Sequence, residues 1–359
     1  MSADQAADGR AAGRFAGWPS SIVDSVASAG SFGVPPASFA LYGRWWQLET
    51  WLRTLIYLEL RARYGHEWQA RLDPRAGRRL GPEASRAYMR TADRTNPMAY
   101  LDTGTLFELI REEWELFEPS LLPQRVWEGR AEELLHIRHR IGHCRRPHRD
   151  DISRLEQTLR DLEPGAHIAI SAFANSHPVS SATNDPVVEA WVHARHPDAA
   201  RLIEHCRRQY ETNFNLRFSA RPWASSDPRA LSPGSGTPGV LWEMWLLFRG
   251  ARGIRAPARF WRSSAVQASV DSLVFVTMDE PWNLRVTFPA VDDPTAVSDA
   301  IGCCFDAAME ESSFIATDDI RDPGQWPAEP PDEDARLQVG TPLAIYDSSM
   351  AEASIFGAL

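Results

Sequence analysis

The sequence contains no lysine, because all 38 of its basic residues are arginine. This absence excludes Schiff-base chemistry on a lysine. It also excludes the lysine of a Walker-type phosphate loop, and the chain has no GxxxxGK[ST] segment. Each cation is instead a planar guanidinium, which suits bidentate contact with phosphate.

Long apolar runs and paired cysteines are also missing. No stretch approaches the roughly 18 to 20 uncharged apolar residues of a membrane helix. Residues 1–17 are rich in Ala and Gly and lack the apolar core of a signal peptide. The cysteines, at positions 144, 206, 303 and 304, show no CxxC spacing, so we expect reduced thiols. A cytoplasmic protein without membrane association is therefore expected.

Excess positive charge is absent as well. The formal net charge is −10, which excludes a generic polyanion binder and confines any contact with nucleic acid to a local patch. With 359 residues, 43% hydrophobic and 24% charged, the chain has the length of two domains and the composition of a globular protein.

Apolar spacing divides the chain into an all-helical part and a mixed part. Residues 1–37 are predicted to be a disordered leader. Apolar residues at spacings of three and four then predict a long helix from 38 to a stop at Gly65. Three more helices are predicted over 103–117, 123–143 and 150–163, the second capped by Thr103 or Thr105 and the fourth closed by Pro164 and Gly165. Residues 38–163 are therefore predicted to form a four-helix bundle.

After Gly165 the spacing changes to that of strands. Short segments rich in β-branched and aromatic residues are predicted to be strands at 168–170, 187–192, 216–223, 241–249, 273–278 and 284–291. Helices are expected over 198–213 and 295–311, the latter with Asp293 as N-cap. We therefore predict an α+β fold: the helical bundle, then an α+β domain of unassigned fold over 166–314. Residues 315–359 are predicted to be an acidic, proline-rich linker and tail, with a possible strand at 343–346.

One segment of the third helix combines arginine and histidine without carboxylates. Between Glu133 and Asp150 there is no acidic residue. The segment carries five arginines, at 138, 140, 145, 146 and 149, and four histidines, at 136, 139, 143 and 148. Cleaving RNA without a metal requires a base, an acid and fixed positive charge near the phosphorane. Histidine supplies the proton transfer near neutral pH and arginine the charge.

Spacing points to Arg138 and His143 within this segment. On an unbroken helix, residues five apart lie about 140° apart. They converge where the helix ends or tightens, which Gly142 permits. The predicted site is thus a helix C-terminus that continues into residues 144–149.

An arginine, a polar residue, three further residues and a histidine, near the end of a bundle helix and before an Asp-capped last helix, resemble the R-x4-H motif of HEPN domains. The long first helix, with Glu49 and Arg53, is similar to the opening helix of these domains. The resemblance covers residues 38–163. His139 departs from it, because the family commonly has Asn at that position.

The resemblance implies a metal-independent endoribonuclease that acts as a homodimer through the bundle, in a toxin or anti-phage defence role. Catalytic roles are implied for Arg138 and His143, and His139 is the third catalytic candidate. Phosphate contacts are expected from Arg140, Arg145, Arg146 and Arg149, and support from Glu49 and Arg53. Neither a cofactor nor a metal is expected. A trigger ligand or a partner protein would act on residues 166–314.

Other interpretations stay open. The bundle could be a non-catalytic dimerisation or RNA-binding module, and the basic segment could be a solvated helix end that complements the helix dipole. His139 and His143, four residues apart, could chelate a metal with His136 or His148. Arginines interleaved with aromatics at 217–223 and 242–261 could stack bases or pack in a core. No GxSxG segment favours a serine hydrolase.

Overall fold

A computed structural model describes residues 20–74, 78–79, 81–82, 85, 97–209, 211–225, 227, 231, 233–315, 345–346 and 356. The α+β fold class is confirmed. The helices are α1 (Ser20–Ser31), α2 (Pro36–Tyr64), α3 (Thr103–Glu112), α4 (Trp114–Phe117), α5 (Gln124–Gly142), α6 (Asp151–Ala174), α7 (Pro186–Trp191), α8 (Ala199–Gln209), α9 (Pro257–Arg262), α10 (Ser264–Ala268) and α11 (Pro294–Glu311). The strands are β1 (His177–Pro178), β2 (Asn213–Ala220), β3 (Val240–Leu247), β4 (Arg252–Ile254), β5 (Phe275–Glu280), β6 (Asn283–Pro289), β7 (Ser312–Phe314) and β8 (Ile345–Tyr346).

Helix α2 is the central element of the helical part, and it ends where the sequence predicts. Gly65 follows its last residue with a φ of +54°, and its N–H bonds to the carbonyl oxygen of Arg61. A side chain does not fit there, because a Cβ on Gly65 would lie 2.0 Å from Oδ1 of Asp292. The same oxygen accepts a hydrogen bond from the His66 N–H at 2.6 Å. Gly65 therefore joins the end of α2 to the loop after β6.

Helices α5 and α6 form an antiparallel pair. Arg140, near the end of α5, pairs with Asp151 at the start of α6. Arg130, near the start of α5, pairs with Asp161 in the middle of α6 at 3.3 Å. Helix α2 runs parallel to α6, because Arg44 near its start lies 3.7 Å from Glu156, and Arg221 bridges Glu59 near its end to Ala169 near the end of α6. The starts of α2 and α6 and the end of α5 therefore share one end of the bundle.

The prediction that the fourth helix closes at Pro164 and Gly165 is wrong, and so is the strand predicted at 168–170. Helix α6 continues through Pro164 to Ala174. Gly165 packs directly on the segment before α5, since a Cβ there would lie 2.2 Å from the carbonyl oxygen of Ser120. Contact of this kind stabilises a helix that local propensity alone would interrupt. Helix α6 thus crosses the predicted boundary between the two parts.

The mixed part is built on a six-stranded sheet of order β1-β2-β3-β6-β5-β8. Its neighbouring strands are antiparallel except for β5 and β8, which are parallel. Strands β4 and β7 form a separate antiparallel pair. The strands predicted at 216–223, 241–249, 273–278 and 284–291 correspond to β2, β3, β5 and β6, and the one at 343–346 includes β8.

Three further predictions differ from the structure. Residues 187–192 lie mostly in helix α7, because the Asp185 side chain accepts from the Val187 N–H at 2.9 Å and caps a helix that opens with Pro186. Asp102, not Thr103 or Thr105, caps α3 by accepting from the Thr105 N–H. Part of the predicted leader forms helix α1, none of whose residues is buried. Most of the predicted linker and tail (residues 315–359) and residues 1–19 of the predicted leader lie outside the described residues.

A buried ion pair joins the helical part to the sheet. The carboxylate of Glu59 on α2 and the guanidinium of Arg221, directly after β2, are both fully buried. Arg221 also donates to the carbonyl oxygen of Ala169 at 3.0 Å, and Trp223 Nε1 donates to Glu59 at 2.8 Å. One apolar core extends through both parts of the chain. No helix among the described residues is long and apolar enough to span a bilayer.

Candidate nucleic-acid site at the end of helix α5

Helix α5 ends in a Schellman-type turn. Its last helical residue is Gly142, and the next residue, His143, still donates its N–H to the carbonyl oxygen of His139 at 3.2 Å. Cys144 then takes a positive φ of +51°. The Cys144 N–H bonds to the oxygen of Ile141 at 3.1 Å and the Arg145 N–H to that of Arg140 at 2.8 Å, which is the hydrogen-bond pattern of this motif. The helix therefore ends at Gly142, as expected, but Cys144 makes the reversal.

Arg138, His139 and His143 lie together at this helix end. The guanidinium of Arg138 extends toward the C-terminus, and its Nη1 is 3.4 Å from where a Cβ of Gly142 would stand. It thus lies beside the residue that precedes His143. The rings of His139 and His143 are 6.3 Å apart between centroids. Both histidines are exposed and Arg138 is half-buried, so the group can contact a ligand from solvent.

Arg140 has a different environment from the other arginines of the segment. Its Nε donates to Oδ2 of Asp151 at 2.8 Å and its Nη2 to Oδ1 at 2.5 Å. The His148 N–H also donates to Oδ2 of Asp151, at 2.9 Å. Burial acts to raise the pKa of Asp151, but the hydrogen bonds from Arg140 and His148 outweigh it and leave that pKa lowered. The pair anchors both ends of the segment 143–150.

The remaining basic side chains of the segment are exposed. Arg145 and Arg146 have no carboxylate partner among the side chains that the structure describes. Arg149 and His148 lie 3.5 and 3.6 Å from the carboxylate of Asp150, which is itself 47% exposed. Exposed pairs of this kind contribute little and exchange readily for other ligands. Arg145, Arg146 and Arg149 therefore present positive charge to solvent in the segment that follows His143.

Glu49 and Arg53 join α2 to the start of α3. The Glu49 carboxylate accepts from Trp45 Nε1 at 2.7 Å and from Thr103 Oγ1 at 2.6 Å, and it pairs with Arg53. Arg53 also donates to the carbonyl oxygen of Leu101 at 3.1 Å. These contacts hold the bundle together. The structure records none from either residue to Arg138 or His143 in the part of the chain that it describes.

The histidines of this segment do not form a metal-binding set with other ligands in the part of the chain that the structure describes. Within the described ranges, no group of three or more His, Cys, Asp and Glu side chains is arranged to hold a metal ion. His139 and His143 are neighbours, but neither His136 nor His148 completes a set with them.

The sequence alone did not reveal that Asp151 pairs with Arg140 and belongs to this region. Its position suggested only a helix start, where an acidic residue complements the dipole. The structure instead directs its carboxylate to Arg140. The available signal was the antiparallel pairing of two helices across a short connection, which brings the end of one beside the start of the next.

Comparison with known proteins gives one match. Residues 46–163 match the family model described as Swt1-like HEPN. No curated protein matches the chain, and no solved structure matches it. The matched residues extend from α2 into α6, so they include the end of α5 and its partner Asp151. A HEPN domain suggests an RNase or an RNA-binding module. Residues 46–163 are therefore assigned to the HEPN-domain family.

Proposed function

We propose that the protein is a metal-independent endoribonuclease whose active site is the end of helix α5. The observation that carries the proposal is the position of Arg138: its guanidinium lies against Gly142, the residue before His143, on an exposed helix end. Phosphodiester cleavage without a metal requires a base, an acid and a fixed cation, and His143, His139 and Arg138 are the candidates for these roles. The HEPN family of this region supports the same reaction class.

In the proposed reaction a histidine accepts the proton of the RNA 2′-hydroxyl, and the 2′-oxygen attacks phosphorus. The bond from phosphorus to the 5′-oxygen breaks, and that oxygen receives a proton from a second histidine. The products are a 2′,3′-cyclic phosphate and a free 5′-hydroxyl. Arg138 neutralises charge on the phosphorane, His143 is the first candidate for proton transfer, and His139 the second.

The other arginines divide into two roles under this proposal. Arg145, Arg146 and Arg149 are exposed and bind the RNA backbone on either side of the cleaved bond. Arg140 is held by Asp151, so we assign it to positioning the segment 143–150 instead of direct phosphate contact. Glu49 and Arg53 support the site through the packing of α2 on α3.

A homodimer through the bundle would bring two copies of this site together. Large apolar side chains form an exposed stripe along the start of α2: Phe39 is 38% exposed, Tyr42 61% and Trp46 47%. Their spacing of three and four residues places them on one helix face. This stripe lies at the same end of the bundle as His143, because the starts of α2 and α6 adjoin there. Its burial in a second copy is the proposed dimer contact.

The test is cleavage of single-stranded RNA in excess EDTA. The wild-type protein should cut and leave 2′,3′-cyclic phosphate ends. Arg138→Ala and His143→Ala should each lower the rate at least about 100-fold, the size of a general acid–base contribution. His167→Ala and Arg195→Ala remove an exposed histidine and an exposed arginine from elsewhere and should leave the rate unchanged.

The departure of His139 from the common family residue gives the non-catalytic alternative a specific basis. A dimerisation or RNA-binding module would bind RNA without turnover, and neither the wild type nor His143→Ala would cleave it. Full inhibition by EDTA, with rescue by zinc, would favour a metal site instead. A role in toxicity or phage defence predicts that expression arrests host growth and that His143→Ala relieves the arrest.

A further inference from the structure

The sheet has one apolar face and one polar face. The strand register places four residues side by side across β2, β3, β6 and β5. They are Asn215, Trp245, Arg285 and Thr277. None of the four is buried. The adjacent row begins with Arg217 and is covered at its far end, where Phe275 stacks on Phe173 of α6 at 4.4 Å. The polar row is therefore the first one beyond the cover of helix α6.

Two guanidinium groups meet at the Trp245 ring on this face. The central carbon of Arg217 lies 5.0 Å from the ring centroid, and that of Arg285 lies 5.2 Å from it. The ring is held in place, because its Nε1 donates to Oδ1 of Asn283 at 2.6 Å. Aromatic rings and arginine planes are the surfaces on which proteins stack nucleic-acid bases.

The positive charge of this cluster is only partly neutralised. One buried carboxylate, that of Glu243, lies 3.6 Å from Arg217 and accepts a hydrogen bond from Ser176 at 2.8 Å. Arg285 has no carboxylate partner among the described side chains, and its buried Nε has no hydrogen-bond acceptor there. Burial lowers the pKa of Arg217, Glu243 opposes this effect, and the neighbouring Arg285 lowers the pKa further. An anion placed between the two guanidiniums would relieve their repulsion.

We propose that this polar row is a second ligand site, which binds a nucleotide through its phosphate and base. Arg217 and Arg285 bind the phosphate, and the base stacks on the layer that Trp245 forms with these two guanidiniums. The nucleotide is either free or part of a single-stranded RNA, because both present the same chemistry.

The second site is remote from the end of α5. Asp151, which holds Arg140, is the first residue of α6, and Ser176, which contacts Arg217, follows its last turn. The 24 residues of α6 extend about 36 Å at 1.5 Å per residue. A nucleotide on the sheet therefore does not occupy the proposed nuclease centre, and its binding does not require RNA cleavage.

The experiment measures binding in a His143→Ala background, so that it is independent of turnover. The probe is a fluorescein-labelled 12-nucleotide single-stranded RNA, followed by anisotropy, with unlabelled AMP as competitor and inorganic phosphate at equal ionic strength as reference. Arg285→Gln and Trp245→Ala are each expected to weaken nucleotide binding about tenfold. Arg285→Gln should also reduce the salt dependence of RNA binding by about one counterion. Arg195→Gln is the matched control, since Arg195 is 75% exposed on another surface.

The outcomes separate the two sources of nucleotide. If AMP displaces the RNA from the wild-type sheet site but not from Arg285→Gln, a free mononucleotide is sufficient for binding at this site. Weakened RNA binding without competition by AMP identifies the polymer. Unchanged affinity of both variants for RNA and AMP would overturn the proposal.

A second measurement on the His143→Ala background guards against misfolded sheet variants. Ultraviolet crosslinking of the RNA, followed by peptide mapping, should label the peptide that contains Trp245. Crosslinks confined to residues 138–149 would contradict the second site. Because this test scores binding on the sheet, it can succeed or fail independently of the cleavage assay.

Discussion

The pair between Arg140 and Asp151 allows a stability prediction worked from its geometry. Asp151→Asn removes the charge from a carboxylate that is 1% exposed and that accepts two hydrogen bonds from Arg140 and one from the His148 N–H. Breaking a buried ion pair costs about 3–5 kcal/mol. The Arg140 side chain is 30% exposed, so water compensates part of the loss. We therefore expect the free energy of unfolding to fall by about 2–3 kcal/mol.

Urea unfolding followed by circular dichroism measures this change. Asp150→Asn is the matched control, because the neighbouring carboxylate is 47% exposed and forms only surface pairs. It should change the free energy of unfolding by less than about 0.5 kcal/mol. Equal stability of the two variants would refute the inference that Asp151 anchors the segment.

The pH dependence follows from the direction of the pKa shift. The pKa of Asp151 is lower in the folded protein than its ordinary value, so the carboxylate stabilises the fold above about pH 4. That contribution is lost as the pH falls through the lowered pKa. The difference in stability between wild type and Asp151→Asn should therefore be constant near neutrality and shrink in acid.

Three further predictions concern the buried contacts and the thiols. Glu59→Gln leaves the fully buried Arg221 without its counter-charge and should lower the free energy of unfolding by about 3–5 kcal/mol; an unchanged urea midpoint would contradict this. Gly65→Ala forces a Cβ within 2.0 Å of a carboxylate oxygen and should lower the melting temperature clearly, whereas Gly142→Ala meets only a flexible guanidinium at 3.4 Å and should shift it little. Cys144 is exposed and should react with a thiol reagent at once, while the two buried thiols react only after unfolding; simultaneous labelling of all three would be inconsistent with the described packing.

The sequence predicts those elements whose start and stop signals are local. Helix α2 ends at Gly65 and α11 begins after Asp293, because a positive φ and an N-cap need only their own neighbours. The same Asp–Pro signal precedes α7 at Asp185, where two adjacent valines favoured a strand instead. There the cap was the stronger determinant. A short apolar run alone does not distinguish a strand from a buried helix.

Elements that depend on tertiary contact were not predictable in this way. Helix α6 passes through Pro164 because Gly165 packs on the backbone of Ser120, a contact between residues 45 positions apart. Similarly, the segment 134–149 contains no carboxylate, but the fold brings Asp151 to Arg140. The placement of Arg138 and His143 at one helix end could be predicted from the sequence, because both residues belong to the same helix end. The carboxylate that pairs with Arg140 could not, because it comes from the partner helix α6.

The most direct measurement of the proposed chemistry uses one RNA in two forms. After the cleavage position has been mapped in EDTA, the same oligonucleotide is made with a single 2′-deoxy substitution at that nucleotide. The wild-type protein should cut the all-ribose RNA to a 2′,3′-cyclic phosphate and leave the substituted position intact, and His143→Ala should cut neither. Cleavage at the 2′-deoxy position, or equal cleavage by His143→Ala, would contradict attack by the 2′-hydroxyl at the end of helix α5.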